Sequence, residues 1–288
     1  MHPRWILCLC LALAWPIQAA PVRVVDDAGQ TLSFAAPPQR VVSLAPHLTE
    51  LLFAVDAGKQ VIGVDSASDF PREAQSLARV GDFGRISFER IVALKPDLIV
   101  AWMGGNRAAD LHGLKQLGVP VLLTRATALD DVARLLRLLG VASGHDRAGE
   151  TRARDVEVKL ATLRASVVHR QRPVAVFYQI WDRPLMTIGG THWITDGLAL
   201  CGARNIFDDL RGLSPVVSRE AVLQRAPSLI VSGSDVPGLR RSWQSFAQVP
   251  AVKNQAFVQV DADLLHRLTP RLVDGVAELC AAIRPYER

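Results

Sequence analysis

Short apolar segments alternate with amphipathic ones along most of this chain. Apolar runs rich in valine, isoleucine and leucine, bounded by turn residues, predict buried strands. Such runs lie at 40–44, 61–64, 99–102, 119–123, 174–179, 185–188, 229–231 and 257–260. Apolar positions at helical spacing predict helices at 49–57, closed by Gly58 as C-cap, and at 128–139, 191–202 and 270–283. Strands that alternate with helices indicate an α/β protein with mainly parallel sheets, preceded by a small hairpin over 22–34.

One segment predicts a much longer helix. From 146 to 169 the chain contains no proline, and Val156, Leu160, Leu163 and Val167 recur at a spacing of three to four residues. A helix of this length extends about 35 Å, and it would act as a rigid connector between two α/β halves. We therefore predict the following units: an N-terminal lobe (20–143), a connecting helix (144–171) and a C-terminal lobe (172–288).

Two segments far apart in the chain are alike. Residues 87–100 (SFERIVALKPDLIV) align without a gap on residues 218–231 (SREAVLQRAPSLIV). Each copy has a serine suited to an N-cap, a glutamate in the first helical turn, a proline that ends the helix, and an apolar strand. Internal similarity of this kind predicts two lobes of related design. Each lobe then presents one glutamate, Glu89 or Glu220, at an equivalent place.

The N-terminus has the pattern of a secretory signal peptide. Arg4 precedes an apolar run over 5–15, and small residues follow at Ala19 and Ala20. We expect residues 1–19 to be removed, with cleavage after Ala20 as the alternative. Because no small-residue box ends in cysteine here, a lipid anchor is not expected. The sequence therefore predicts an exported, soluble protein.

Export changes what the cysteines indicate. Two of the four cysteines lie in the signal peptide, which leaves Cys201 and Cys280. In an oxidising compartment the simplest expectation is a disulfide between them, worth roughly 4–5 kcal/mol in the chain-entropy description. The alternative is two separate buried thiols. A zinc site is disfavoured, because neither cysteine has a second cysteine or a histidine at ligand spacing.

Composition and motifs exclude several classes of function. The chain is 49% hydrophobic and 21% charged, which is typical of a globular protein. Its formal charge of +5 falls to +4 without Arg4, and no Lys/Arg run is present, so nucleic-acid binding is not indicated. No nucleophile motif, paired-histidine motif or phosphate loop is found, which disfavours an enzyme. The histidines are scattered, and surface or structural roles are favoured for them; His47 is the exception, because it follows a strand end.

A binding function fits better. Large or polar side chains follow several predicted strands: Phe83, Trp102 with Gly104-Gly105-Asn106 after it, Trp181, and the 263–267 segment. Two lobes bring such loops together across a cleft, which is where ligands prefer to bind. Tryptophan offers a large rigid surface suited to a bulky planar ligand. The alternative is that Trp102 and Trp181 are ordinary core aromatics.

Several motifs together resemble the periplasmic cobalamin-binding proteins of ABC importers. They are RVVSLAP at 40–46 with Thr49-Glu50, ERIVALKPDL at 89–98, AWMGGN at 101–106, Cys201-Gly202 with 205–207, 217–220, and Arg267 with Pro270-Arg271. The resemblance covers the chain from about Arg40 to its C-terminus. It implies a class III periplasmic binding protein: two Rossmann-like lobes joined by one long rigid helix, little domain closure, and cobalamin in the cleft.

The resemblance also implies roles for individual residues. It places ligand contacts on Ala67, Phe83, Trp102, Asp263, Leu264, Leu265, His266 and Arg267, the disulfide on Cys201 and Cys280, and contacts with the permease on Glu89 and Glu220. The chain departs from the family pattern where aromatic residues are usual: at Ala67, Ser214, Leu264 and Leu265, while Phe83 replaces a tryptophan. Trp181 and Trp193 could restore part of the aromatic lining.

Other functions stay open at this point. Within the binding class the alternative ligand is haem or a ferric siderophore, with His47 or His266 as the iron ligand. From other classes the alternatives are an exported enzyme or an adhesive protein. For Glu89 and Glu220 the alternative is a purely local role, since an acid in the first turn of a helix is favoured by the helix dipole alone. We expect a monomer with no cofactor of its own.

Overall fold

The computed structural model describes residues 21–82, 85–167 and 172–286. The predicted signal peptide and Phe83 lie outside these residues. The described chain opens with the expected hairpin, formed by the antiparallel strands β1 (Val22–Val25) and β2 (Thr31–Phe34). Asp26 closes its turn, because its carboxylate accepts hydrogen bonds from the backbone N–H groups of Ala28 and Gln30.

The first half of the chain forms a five-stranded parallel sheet. Its strands are β3 (Val41–Ser43), β4 (Val61–Val64), β5 (Ala78–Arg79), β6 (Leu98–Trp102) and β7 (Val121–Thr124), in the order β5-β4-β3-β6-β7. The helices of this half are α1 (Pro46–Ala54), α2 (Phe88–Ala93), α3 (Ala108–Lys115) and α4 (Asp131–Ser143), with 3-10 turns at Gly58–Gln60 and Arg72–Ser76. Buried apolar side chains line both faces of the sheet, as a parallel sheet requires.

The connecting helix α5 spans Asp146–Ser166, about 31 Å at 1.5 Å per residue. It packs closely along α4 through a glycine contact: a Cβ on Gly149 would lie 2.7 Å from the carbonyl oxygen of Leu136. On the solvent side, Arg137 of α4 pairs with Glu150 and Glu157 of α5. These contacts fix α5 rigidly on the first half. The lobe boundaries at 144 and 171 stay predictions, since residues 168–171 are outside the described part.

The second half forms a four-stranded parallel sheet. Its strands are β8 (Val174–Gln179), β9 (Ala203–Asn205), β10 (Leu229–Ser232) and β11 (Phe257–Gln259), in the order β11-β10-β8-β9. Its helices are α6 (Trp193–Leu200), α7 (Arg219–Arg225), α8 (Val236–Trp243), α9 (Pro250–Lys253), α10 (Ala262–Leu265) and α11 (Leu272–Ile283), with a 3-10 turn at Arg284–Tyr286. Helix α5 also contacts α11, so the buried core continues from one half into the other.

The internal repeat is visible in the backbone. Ser87 caps α2 by accepting the N–H of Arg90, and Ser218 caps α7 by accepting the N–H of Ala221. In both copies the residue just before the proline, after the end of the helix, has a positive φ: Lys95 at 48° and Ala226 at 45°. The strands that follow, β6 and β10, occupy interior positions of their sheets. The two halves therefore share a design down to the conformation of single residues.

The disulfide prediction is confirmed. Cys201, at the C-terminal end of α6, is bonded to Cys280 of α11, and the alternative of two separate thiols is wrong. The bond joins two helices that also pack against each other. Among the described residues, no helix combines the length and apolar character needed to span a membrane.

Two local predictions were wrong, and four short helices were not predicted. Helix α1 begins at Pro46, which is well suited to the first helical turn, and ends at Ala54 with Val55 as C-cap, so Gly58 does not cap it. The predicted strand 185–188 makes only isolated bridges, from Met186 to Trp181 and Val216. Helices α3, α8, α9 and α10 were not predicted, because each has only four or eight residues and gives little helical periodicity.

Candidate functional site

A cavity of about 640 Å³ lies between the two halves of the molecule. The first half contributes Trp102, Gly104 and Gly105, which follow β6. The second half contributes the remaining walls: Ile180, Trp181, Pro184, Met186, His192, Trp193, Leu213, Ser214 and His266. The site therefore lies at the carboxyl ends of β6 and β8, which is where open α/β sheets bind ligands.

Trp102 is held in place by its own loop. Its ring lies flat against the following glycines: a Cβ on Gly105 would come within 2.1 Å of the indole. Asn106 anchors the loop, since its Oδ1 accepts the N–H of Trp102 at 2.7 Å and its Nδ2 donates to the carbonyl of Leu44 at 2.9 Å. Across the cleft, the rings of Trp102 and Trp193 are 6.1 Å apart. The Trp-x-Gly-Gly-Asn sequence thus fixes the position of the Trp102 ring, which forms one wall of the cavity.

Trp181 and Trp193 enlarge that aromatic surface from the second half. Trp181 is 62% exposed and lines the cleft, so the alternative of a core aromatic is wrong for it. Trp193 is buried, and its Nε1 donates to the carbonyl of Leu265 at 2.8 Å. Both residues line the same cavity as Trp102. The expectation that they contribute to the lining agrees with their positions.

Two histidines supply the polar groups of the cavity. His266 Nε2 lies 2.9 Å from the hydroxyl of Tyr178, which is fully buried in β8. His192 packs on the Trp193 ring with a centroid distance of 4.0 Å. Burial lowers the pKa of both histidines, that of His192 to about 3, so both imidazoles are neutral at physiological pH. Of the described residues that line this cavity, none carries a formal charge.

A second cavity of about 680 Å³ adjoins the first and shares Ile180, Trp181 and His266 with it. Asp182, Arg183, Gly233, Ser234 and Ala262 complete its lining. Asp182 is itself paired with Arg219 at 2.9 Å, which stacks on the Trp243 ring. The combined space is apolar at one end and polar at the other, and it suits one large amphipathic ligand.

An ion cluster joins the two halves beside the cleft. Glu50 of α1 accepts hydrogen bonds from Arg271 and Arg267, and Arg267 also pairs with Asp69 at 2.6 Å and with Asp263 at 3.3 Å. The Glu50 side chain is only 3% exposed. The bond from Arg267 lowers the pKa of the Asp69 carboxyl, which keeps that acid ionised. The cluster fixes the 65–70 loop of the first half against the 263–271 segment of the second.

His47 lies behind Trp102. It is buried, its ring meets the indole edge-on at 4.9 Å, and its Nε2 has no hydrogen-bond partner among the described residues. Burial, with a smaller effect of the nearby Arg267 charge, lowers its pKa to about 3. Trp102 therefore separates His47 from the cavity.

The sequence-predicted ligand residues fall into distinct groups. Trp102 and His266 line the cavity. Leu265 is 1% exposed and belongs to the core, while Leu264 packs over Gly275. Asp263 and Arg267 belong to the ion cluster, Ala67 is exposed on the 65–70 loop, and Phe83 lies outside the described residues. Sequence reasoning missed part of the lining: Ile180, Pro184, Met186, His192 and Leu213. The position of Ile180 directly after β8 was the one available signal.

Glu89 and Glu220 are both exposed in the first turns of α2 and α7. Hydrogen bonds from their own backbone N–H groups, and then from Ser87 and Ser218, lower the pKa of each carboxyl. Because each helix runs back along a parallel sheet, its first turn lies at the carboxyl edge of the strands, the edge that holds the cleft. The two carboxylates thus carry matched negative charges on the cleft side of both halves.

Comparison with known proteins identifies relatives across nearly the whole chain. The periplasmic binding protein family pattern matches residues 41–264. The vitamin B12-binding protein of Vibrio parahaemolyticus is 34% identical over 88% of this chain and 92% of its own length. That of Pectobacterium atrosepticum is 38% identical over 85% of this chain and 88% of its own length.

Solved structures give the same picture. The periplasmic vitamin B12-binding protein of Vibrio cholerae superposes with a TM-score of 0.79 at 35% identity, covering 86% of this chain and 98% of its own. A periplasmic heme-binding protein from Pseudomonas aeruginosa has a TM-score of 0.74 at 26% identity, covering 87% of this chain and 94% of its own. The parallel sheets and the cleft are those of class III periplasmic binding proteins. The chain belongs to the periplasmic binding protein family.

Proposed function

We propose that this protein captures cobalamin in the cleft between its lobes and delivers it to an ABC import permease. The observation that supports this most strongly is the uncharged lining of the 640 Å³ cavity, with three tryptophans, Trp102, Trp181 and Trp193, and two neutral histidines. The corrin periphery consists of methyl groups and uncharged primary amides, which match apolar walls with a few neutral hydrogen-bonding groups. Relatives named vitamin B12-binding proteins, at 34–38% identity, support the same ligand.

Size and polarity agree with one large ligand. The two adjoining cavities, about 640 and 680 Å³, share Trp181 and His266, and a corrinoid with its nucleotide tail would extend from one into the other. Cobalamin has a single phosphate, in that tail. Arg183, at the polar end, is the cation that lines the second cavity.

Haem is the second candidate, because a heme-binding protein is among the structural relatives at 26% identity. Porphyrin carboxylates need cations or water where they bind, since an unpaired buried charge is costly. The described lining of the 640 Å³ cavity offers neither arginine nor lysine, and the adjoining cavity offers one cation, Arg183, for a ligand with two carboxylates. The two histidines considered as iron ligands are also poorly placed: His47 lies behind Trp102, and His266 Nε2 is hydrogen-bonded to Tyr178. These contacts favour cobalamin over haem.

For delivery we propose that Glu89 and Glu220 dock on basic residues of the permease. Two exposed carboxylates, at equivalent places on two lobes that a rigid helix holds at a fixed spacing, give two-point electrostatic registration. We further propose that residues 1–19 direct export, that the protein acts as a monomer without a cofactor, and that it binds its ligand without chemical change. Calorimetric titration with cyanocobalamin and haemin tests the ligand, and transport assays test docking.

A further inference from the structure

We propose that His192 is a specificity-determining residue of the cleft, whose Nε2–H donates a hydrogen bond to an uncharged carbonyl oxygen of the ligand, such as a corrin side-chain amide. The identity of the ligand rests on the proposed function. The role of His192 rests on its own contacts.

The fold fixes which nitrogen of His192 carries the proton. His192 is the N-cap of α6, and its Nδ1 accepts the backbone N–H of Ile194 at 3.1 Å. That N–H is one of the donors at a helix start that have no partner within the helix. A neutral imidazole has one acceptor and one donor nitrogen. Because Nδ1 accepts, Nε2 must carry the hydrogen.

The surroundings of His192 keep it a neutral donor. Its ring is 3% exposed, packs against Trp193 at a centroid distance of 4.0 Å, and lines the cavity. Burial holds its pKa at about 3, so the ring is uncharged at the pH of the periplasm. Coordination of a metal through Nε2 would require removing the last ring proton. His192 is therefore a hydrogen-bond donor and a poor metal ligand.

A donor in such an apolar cavity discriminates between ligands. If the ligand has no acceptor there, the N–H loses its solvent without gaining a partner, which costs on the order of 10- to 100-fold in affinity. A site built to hydrogen-bond one group rejects an analogue that lacks it in the same way. A carboxylate would also be stripped of water without a cation to pair with. The arrangement therefore favours an amide.

The test is His192→Asn, measured by calorimetry with cyanocobalamin. Asparagine is a good N-cap and can still accept the N–H of Ile194, but it is too short to present a donor at the position of Nε2. We expect affinity to fall about 10- to 100-fold, while circular dichroism shows that the free variant is folded. The matched control is His145→Asn: His145 is also a helix N-cap, on α5, and it does not line the cleft. It should leave affinity unchanged.

The outcomes are distinct. Unchanged affinity in His192→Asn, with wild type binding cobalamin, overturns the role of His192 and leaves the proposed function intact. Wild-type protein that does not bind cobalamin overturns both. If the variant does not fold, nitrogen-15 NMR of the imidazole in the wild type decides the question. The Nε2–H form, with the proton slowed in exchange once cyanocobalamin is bound, supports the proposal; the Nδ1–H form contradicts it.

Discussion

Arg271, in the second half of the protein, donates two hydrogen bonds to Glu50 in the first half. Its Nη2 lies 2.7 Å from Oε1 of Glu50, and its Nε lies 3.1 Å from Oε2. Arg267 adds a third contact to the same carboxylate at 3.0 Å. With its side chain 3% exposed, Glu50 has three charge-assisted hydrogen bonds from two arginines in place of water. This carboxylate is the centre of the link between the lobes.

Removing Glu50 should be strongly destabilising. Glu50→Ala removes the carboxylate partner of Arg271 and leaves Arg267 with only Asp69 and Asp263, so we expect the free energy of unfolding to fall by about 3 kcal/mol. Urea unfolding measures this. The control is Lys159→Ala, which breaks an exposed ion pair with Asp274 (58% and 60% exposed) and should cost less than about 1 kcal/mol. Equal losses in both variants would show that the Glu50 cluster contributes no more than a surface pair.

The position of the Trp102 ring in the cavity should depend on Gly105. In Gly105→Ala, the new methyl group overlaps the Trp102 ring, which must move away from its present position. We expect cobalamin affinity to weaken about 10-fold, because Trp102 forms one wall of the cavity and a few well-packed aromatic contacts carry most of the binding energy. Calorimetry and tryptophan fluorescence check this. If Gly105→Ala binds as tightly as wild type, the fixed orientation of Trp102 has no part in recognition.

Acid should destabilise the fold through the buried histidines. His47 and His192 have a pKa of about 3 when folded and about 6.5 when unfolded. Below pH 6.5 the unfolded chain therefore binds protons that the folded protein does not. Stability from these groups is complete above pH 6.5 and is lost progressively down to pH 3, by up to about 1.4 kcal/mol per histidine per pH unit.

Urea unfolding between pH 7 and pH 4 measures this dependence. His47→Phe removes one titrating group and keeps an aromatic ring behind Trp102. We expect its stability to fall less steeply with acid than that of wild type. Parallel curves for the two proteins would mean that His47 titrates normally in the folded state.

Transport should require both repeated glutamates. Because Glu89 and Glu220 are exposed and lie away from the cavity lining, Glu89→Ala with Glu220→Ala should leave cobalamin affinity unchanged and abolish uptake in cells. Asp155→Ala with Glu278→Ala removes the same charge from other exposed positions and should leave uptake intact. If uptake survives the first pair, the glutamates act only at their helix starts.

Local patterns predicted much of the fold. The strand 174–179 and the helix starts at Ser87 and Ser218 follow from apolar runs and capping residues, which act over a few positions of sequence. The repeat was detectable because both copies carry the same local signals: a capping serine, a glutamate in the first helical turn and a proline after the helix. The Cys201–Cys280 bond followed from simple counting once the signal peptide was set aside.

Long-range contacts limited the prediction of the site. Nothing near Glu50 in sequence indicates that its partners are Arg267 and Arg271, more than 200 residues away. Met186 and Leu213 line the cavity only because irregular loops fold back over β8, and loops of this kind have no periodic signal. Of the late segment, His266 lines the cavity while Asp263 and Arg267 belong to the ion cluster, and this division depends on packing.

The central claim is that the cleft holds cobalamin. Its most direct test is calorimetric titration of the purified protein with cyanocobalamin, with haemin as the competing ligand under the same conditions. An uncharged, tryptophan-lined cavity predicts one cyanocobalamin per protein, with a Kd of about 1 µM or tighter, and much weaker binding of haemin. Cyanocobalamin binding no tighter than about 1 mM, or a clear preference for haemin, would contradict the claim.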